Sequence, residues 1–161
     1  MGIKTLLVII LSAVVFCSLS FVVFGLIRTR QTTRSVDQQL FVQGRVPTPL
    51  PNGLYVGSAE GYNGSWRGKE FDAQNAKGIN IFRRGDADRR LYPFRLLTGK
   101  GVKDRDLDVL QVDYNIDANP FWLRPVLDEV VEIEGGVLLG KLQYRLIPRK
   151  PFTIIFFRLE R

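Results

Sequence analysis

An uncharged run from Thr5 to Ile27 constrains this chain more than any other feature of its sequence. The run reads TLLVIILSAVVFCSLSFVVFGLI and lies between Lys4 and Arg28. As an α-helix it would be about 34 Å long, and the hydrocarbon core of a bilayer is about 30 Å thick. The sequence therefore predicts a single-pass membrane protein whose transmembrane anchor helix occupies residues 1–27.

A cleaved signal peptide is the alternative interpretation of this run. The apolar core of a signal peptide is about 7–15 residues long and precedes a cleavage site made of small residues. Here the apolar run continues through Phe16, Phe21 and Phe24 without such a site. We therefore expect the anchor to be retained in the mature protein.

The charges that flank the anchor predict its orientation. Arg28, Arg30 and Arg34 follow it, whereas Lys4 is the only charged side chain before it. Short segments on the cytoplasmic side of a membrane carry an excess of Lys and Arg. The C-terminal domain is therefore predicted to lie on the cytoplasmic side.

Composition excludes several classes of site. The sequence has no His and one Cys, Cys17, which lies inside the anchor. Ser–His–Asp and Cys–His catalysis and the usual zinc, haem and iron–sulfur sites therefore cannot be built within this chain. Asp104, Asp106 and Asp108 alternate as in a calcium loop, but the glycine and glutamate that such a loop requires are missing. We therefore expect a solvated loop there and no metal site, and the sequence leaves any cofactor unknown.

The net charge of +7 suggests an anionic partner. The cations are scattered and mostly adjoin acidic residues, as in KDRDLD and RRGDADRR. Nucleic-acid binding is therefore not predicted, because it requires a dense basic stripe. A basic domain beside a bilayer suits anionic lipid headgroups.

After the anchor, a linker and one small domain are predicted. Residues 28–52 are polar and then proline-rich, and the segment VPTPLPN disfavours both helix and central strand. Residues 53–161 are enough for one compact domain. Period-two alternation predicts eight strands there, in the segments GLYVGSAEGY, SWRGKEFDA, INIFRR, LYPFRLLTGKG, DVLQVDYN, VLDEVVEIE, VLLGKLQYRLI and FTIIFFRLE.

Tight turns between these strands predict an antiparallel meander. Asn63-Gly64 and Gly135-Gly136 are typical of two-residue hairpin turns, and IPRKP is a further turn. One helical turn is predicted at 119–126, where Pro120 suits a first turn. The fold class is all-β, a small antiparallel barrel of about eight strands, with a two-sheet sandwich as the alternative.

Alternation also predicts which side chains face the core. In VLLGKLQYRLI, Leu142 lies on the apolar face and Gln143 on the solvated face. In VLDEVVEIE, Val131 lies on the apolar face and Asp128 on the solvated one. The last strand is apolar on both faces, which requires either that it is covered on both sides or that its outer face meets a partner or the membrane.

The succession GLYVG, GSWRGKEFD, YPFRLLTGKG, DVLQVDYN, NPFWLR, LDEVVEI and LLGKLQYRL resembles uncharacterised lipocalin-like proteins of the calycin type. The resemblance covers residues 53–161 and excludes the anchor. It implies a barrel that holds a small apolar ligand, and it provides no catalytic residues.

Aromatic and basic side chains supply the predicted ligand site. Lipophilic ligands bind in aromatic cavities that carry a few polar groups. The predicted ligand-binding residues are four aromatics and two cations: Trp66, Phe94, Tyr114, Tyr144, Lys100 and Arg145. A basic rim would suit an amphipathic anion such as a fatty acid, although Arg145 falls opposite Tyr144 on its strand.

The predicted role is non-enzymatic binding of a small lipophilic ligand at the membrane surface. Membrane lipid is therefore an expected partner. One alternative is an accessory subunit or interaction module of a membrane-protein complex. The other is a histidine-free enzyme of the isomerase or cyclase type that uses a pair of carboxylates and a tyrosine.

Overall fold

The computed structural model describes residues 2–146 and 150–161. Two helices, α1 (Ile3–Thr33) and α2 (Val36–Gln43), precede eight strands. The strands are β1 (Gly53–Ser58), β2 (Trp66–Asp72), β3 (Lys77–Arg84), β4 (Ala87–Lys100), β5 (Asp108–Asp113), β6 (Val126–Glu132), β7 (Leu138–Tyr144) and β8 (Phe152–Glu160). Each strand pairs antiparallel with the next, and β8 pairs with β1, which closes the barrel. The predicted antiparallel barrel is confirmed.

Helix α1 has 31 residues and is therefore about 46 Å long. It is long and apolar enough to cross a membrane. The helix continues to Thr33, beyond the predicted end of the anchor, and α2 also lies within the predicted linker. The side chain of Ser35 begins α2 by accepting a hydrogen bond from the Gln38 amide at 3.2 Å, as N-cap residues do. The division into anchor, linker and barrel domain stays a prediction.

The last part of α1 packs along β8. The Phe21 ring contacts the Tyr144 and Phe152 rings at centroid distances of 5.3 and 6.4 Å. One turn later Gly25 lies against Phe152, and Arg28 then donates to the Ile154 carbonyl at 3.0 Å. Because Thr29 and Thr32 both contact Thr153, the helix crosses the strand at an angle, and the exposed residues before Phe21 leave the barrel near the start of β8. We call the barrel end where β7 finishes and β8 begins the proximal end, and the opposite one the distal end.

The barrel interior forms the first of two hydrophobic clusters. Buried side chains from every strand except β1 and β3 meet there: Phe71, Phe94, Leu96, Leu110, Val112, Tyr114, Val126, Val130, Leu138, Phe157 and Leu159. At the distal end Leu50 from the proline-rich segment packs against the same cluster. That segment therefore covers one end of the barrel.

The second hydrophobic cluster lies outside the barrel wall. Phe41 of α2 packs there on Val109, Val131, Leu139 and Phe156. Since Phe157 lies inside the barrel and Phe156 outside, β8 is covered on both sides by the chain itself. This confirms one of the two possibilities that its sequence left open.

The prediction that Gln143 faces solvent is wrong. Its side chain is on the outer face, but it is 0% exposed. The Gln143 amide donates to Glu129 at 3.1 Å and accepts from the Thr153 hydroxyl at 3.0 Å. The outer face of this part of the sheet is buried because the helices and the 101–107 loop cover it.

The assignment of Asp128 to a solvated face is also wrong. In the β6–β7 register Asp128 lies opposite Leu142, and Glu129 lies opposite Lys141. Asp128 therefore shares the interior face with Leu142, and Val131 takes the covered outer face. Six of the seven residues of β6 are buried. Its side chains therefore alternate between two faces that are both buried.

The predicted turns are confirmed in part. Gly135 and Gly136 adopt φ of +79° and +75°, the left-handed region that glycine tolerates, but they lie in a longer turn of residues 133–137 and not in a two-residue one. Asn63-Gly64 lies in a loop of residues 59–65 and does not form a two-residue turn. The segment 119–126 forms single turns, with amide–carbonyl bonds Leu123–Pro120 and Val126–Leu123 at 3.0 and 2.9 Å. Residues 147–149 of the predicted IPRKP turn lie outside the described residues.

Candidate functional site

A cavity of about 350 Å³ opens at the proximal end of the barrel. Its wall is mainly aromatic and aliphatic, and its lining residues are Ala59, Tyr62, Trp66, Lys69, Asn80, Phe82, Tyr92, Tyr114, Trp122, Leu123, Val126, Asp128, Leu142, Ile155 and Phe157. They come from the ends of β1, β3, β5 and β7, from the starts of the strands that follow, and from the loops 59–65 and 114–125. The few polar groups lie further inside the strands than Tyr62, Trp122 and Leu123. The cavity therefore has an apolar wall, and the polar side chains are buried at its inner end.

A β-bulge in β2 brings a lysine into this cavity. The pairing of β2 with β3 shifts between Trp66 and Gly68, and Gly68 has a φ of +142°. A Cβ at Gly68 would lie 2.0 Å from the Tyr55 carbonyl oxygen, so this backbone requires glycine. Because the bulge adds one residue, Trp66 and Lys69 face the same side of the sheet.

The Lys69 ammonium uses its three protons within the barrel. Nζ donates to Asp128 Oδ2 at 2.8 Å, to Asn80 Oδ1 at 2.9 Å and to the Tyr114 hydroxyl at 2.5 Å. Both members of the Lys69–Asp128 ion pair have side chains that are 3% exposed. A lysine has three donors and no acceptor. Its hydrogen-bonding capacity is therefore filled by the protein.

Aromatic rings surround the same ammonium group. Nζ lies 5.2 Å from the ring centroids of Phe94, Tyr114 and Phe157, and 5.7 Å from that of Trp66. Cations are attracted to aromatic faces at such distances. Burial nevertheless lowers the pKa of Lys69 below its usual value, although the charge and hydrogen bond of Asp128 oppose that shift.

Asn80 and Tyr114 complete the polar network. Asn80 accepts a hydrogen bond from the Trp66 indole at 3.1 Å and donates to the Tyr92 carbonyl at 3.0 Å. Burial raises the pKa of Tyr114 well above its usual value, and the neighbouring Asp128 carboxylate adds to this. Tyr114 therefore remains a neutral phenol that both accepts and donates.

One atom of this network is left without a partner. Asp128 Oδ2 accepts from Lys69, but among the described residues no donor reaches the buried Asp128 Oδ1. Asp128 also lines the cavity. A buried acceptor without a donor is unfavourable by about 1–3 kcal/mol, and by more when it is charged. Chemically, the cavity therefore offers a ligand a hydrogen-bond acceptor.

The structure brings the four predicted aromatic residues to the proximal half of the barrel interior. Trp66 and Tyr114 line the cavity. Phe94 is buried beneath it, and Tyr144 packs against the same interior cluster. The Tyr144 hydroxyl donates to the Trp122 carbonyl at 3.1 Å, so it fixes the loop that carries the cavity mouth.

The two predicted cations lie outside the cavity. Lys100 is exposed and forms an ion pair with Asp108 at 3.0 Å. Arg145 binds Asp113 Oδ1 at 2.7 Å, and Arg95 binds Oδ2 of the same carboxylate at 2.8 Å. The basic rim expected for a fatty-acid site is therefore not formed by Lys100 and Arg145.

Sequence reasoning missed Lys69 and Asn80 as site residues. Under strict alternation, Lys69 and Trp66 would lie on opposite faces of the strand. The one signal of a bulge in the sequence is Gly68, two residues after Trp66. For Asp128 a signal existed, since it is an acidic residue within an apolar strand, but its face was assigned wrongly. The register with β7 corrects that assignment.

A wider depression of about 740 Å³ lies at the distal end, between the proline-rich segment and the barrel rim. Its lining includes Pro49, Asn52, Asp72 and Arg161, and it contains no buried ion pair among the described residues. The proximal cavity is the better candidate site because it combines an apolar wall with buried, convergent polar groups.

No cluster of metal ligands occurs among residues 2–146 and 150–161. Asp104, the first carboxylate of the alternating acidic loop, forms an ion pair with the buried Lys141 and accepts from Gln38 at 3.0 Å. It therefore holds α2 and the loop against the barrel wall, and it is less solvated than predicted.

No protein-family model, curated protein or solved structure matches this chain.

Proposed function

We propose that this protein is a membrane-anchored, lipocalin-like binding protein that holds a small lipophilic ligand at the membrane surface. The observation that carries the proposal is the aromatic cavity at the proximal end, where the exposed part of α1 leaves the barrel. A closed barrel with an apolar cavity at one end is a frequent architecture for small-ligand binding.

The packing of α1 supports access from the bilayer. Because Phe21 lies beside Phe152 at the start of β8, the exposed part of α1 leaves the barrel at the cavity end. This supports the proposal that the mouth faces the lipid surface, where a lipophilic molecule would not need to cross water to enter.

The rim of the mouth has the composition of a membrane interface. Phe121 and Trp122, in the loop 114–125, are 82% and 49% exposed, and Tyr62 on the facing loop is 41% exposed. Trp and Tyr are enriched where membrane proteins meet headgroups. The net charge of +7 adds attraction to anionic lipid, and we keep the cytoplasmic orientation as part of the proposal.

The residues that line the cavity, and whether it binds a ligand, distinguish the two alternative roles. An isomerase or cyclase would require paired carboxylates, and Asp128 is the one carboxylate among the described residues that line the cavity. An interaction module or accessory subunit does not require a ligand at all. Absence of binding would therefore favour that role.

Tryptophan fluorescence of the full chain in nonionic detergent tests the proposal. The sequence has two tryptophans, Trp66 and Trp122, and both line the cavity. A brominated lipophilic probe, terminally brominated decanol, should therefore quench the emission saturably.

The matched control is Ala59→Phe, which places a ring in the cavity wall. This variant should lose the saturable component and keep only the linear quenching caused by probe in the micelle. Linear quenching alone in the unmodified protein would contradict the proposed function and leave the interaction module as the better explanation.

A further inference from the structure

The proximal cavity is lined by one residue with a buried polar atom that lacks a hydrogen-bond partner among the described residues, and that atom selects among ligands. All three protons of Lys69 have partners at 2.5–2.9 Å. Asn80 and Tyr114 are likewise hydrogen-bonded to the network. Among the buried side-chain atoms of the described lining residues, the free hydrogen-bonding capacity is on Asp128 Oδ1, which is an acceptor.

We infer that the ligand is a small lipid alcohol whose hydroxyl donates a hydrogen bond to Asp128 Oδ1 while its hydrocarbon part occupies the aromatic cavity. This inference rests on the proposed function, since it names the chemical class bound at the same site. It replaces the fatty acid that the sequence suggested.

Electrostatics distinguishes the alcohol from charged alternatives. A carboxylate has no proton to donate when ionised, and it would lie beside the Asp128 carboxylate in a site shielded from water. An amine would place a second cation near the Lys69 ammonium, whose side chain is 3% exposed. A neutral hydroxyl satisfies Oδ1 without adding charge.

The size of the cavity limits the ligand. A volume of about 350 Å³ holds about a dozen groups of the size of a water molecule. The polar network lies further from the mouth than Tyr62 and Trp122, so the hydroxyl enters first. The far end of a longer chain would then extend through the mouth toward the bilayer.

Three probes that differ only in the polar group test the inference on the full chain in nonionic detergent. They are terminally brominated decanol, its methyl ether and the matching decanoate, each titrated against Trp66 and Trp122 emission. A hydrogen bond to a charged group corresponds to a preference of roughly ten- to a hundredfold. The alcohol should therefore bind at least about tenfold more tightly than the ether, and the decanoate should be the weakest.

A double variant, Lys69→Met with Asp128→Leu, is the matched control. It removes the ion pair and the acceptor together, and apolar replacement of a buried pair is often tolerated. In this variant the ratio of alcohol to ether affinity should fall to about one while the ether still binds. The comparison of probes on the unmodified chain decides the question even if the double variant does not fold.

The outcomes separate the inference from the proposed function. Equal binding of alcohol and ether by the unmodified chain overturns the inference, with Asp128 Oδ1 bound by water only, and leaves the ligand-binding function in place. Tighter binding of the decanoate also overturns it. Absence of saturable quenching by every probe overturns both.

Discussion

Two lysines are buried on opposite sides of the same barrel wall, Lys69 inside and Lys141 outside, with relative exposures of 2% and 1%. Lys69 has one carboxylate partner, and aromatic rings surround its ammonium group next to a cavity. Lys141 lies between the carboxylates of Asp104 and Glu129, and the Phe41 ring covers it at 4.0 Å. The inner pair leaves a buried acceptor without a partner on a residue that lines the cavity, whereas α2 and its neighbours enclose the outer pair.

The difference shows that a buried ion pair alone does not identify a functional site. The outer lysine connects α2, the 101–107 loop and the barrel wall, so its position follows from packing. The inner lysine connects the barrel to no segment outside it, and its hydrogen-bond network lies next to a cavity. What marks the inner pair as a candidate site is the unsatisfied oxygen of Asp128 next to that cavity.

The largest expected effect comes from breaking the inner pair. Lys69→Met would leave the Asp128 carboxylate buried and uncompensated, which is expected to lower the free energy of unfolding by about 3–5 kcal/mol. Urea unfolding of the full chain in detergent would measure this. Adding Asp128→Leu should restore most of the loss, and a double variant as unstable as the single one would contradict the assignment of that pair.

Breaking the outer cluster should have the next largest effect. Phe41→Ala removes the ring that covers Val131, Leu139 and Lys141, and the free energy of unfolding should fall by about 3 kcal/mol. Phe121→Ala is the matched control, because that ring is 82% exposed and its loss should change stability by less than about 0.5 kcal/mol. Similar tolerance of both substitutions would mean that α2 does not cover the barrel in solution.

Gln143→Asp sharpens the distinction between an exposed and a covered outer face. The substitution would place a second carboxylate beside Glu129 in a site without solvent, so we expect a loss of about 2 kcal/mol. Gln74→Asp makes the same chemical change at an exposed turn and should be nearly neutral. Equal stability of the two variants would restore the solvated face that alternation predicted.

The smallest effect concerns Asp113, the carboxylate that Arg145 and Arg95 share. Burial alone would raise the pKa of Asp113, but hydrogen bonds from Arg145 and Arg95 lower it overall. As the pH falls, the unfolded chain therefore takes up the proton before the folded chain does. The stability that the Asp113 carboxylate contributes above about pH 4 is lost as the pH falls through its lowered pKa in the folded chain. Acid unfolding followed by tryptophan emission should show a shallower loss in Asp113→Asn, and an identical pH dependence would contradict the coupling.

Much of the architecture could be predicted from local patterns. The apolar run up to Ile27 predicts the long helix, because its composition alone is enough for that prediction, without knowledge of its tertiary contacts. The eight strands follow from period-two alternation, and Gly135-Gly136 marks a turn because both residues adopt positive φ. The candidate site could be predicted only in part. Trp66 and Tyr114 were recognised as aromatic wall residues, whereas Lys69 required the bulge at Gly68.

The sequence by itself determined the helix, the number of strands and their antiparallel order, since these depend on the chemistry of neighbouring residues. Only the tertiary structure decided which faces are dry. Whether Gln143 meets water depends on helices more than a hundred residues earlier in the chain, and whether Asp128 meets Lys69 depends on strand register and one inserted residue. Burial and ion pairing are properties of side chains brought together across the barrel, and alternation within one strand does not determine them.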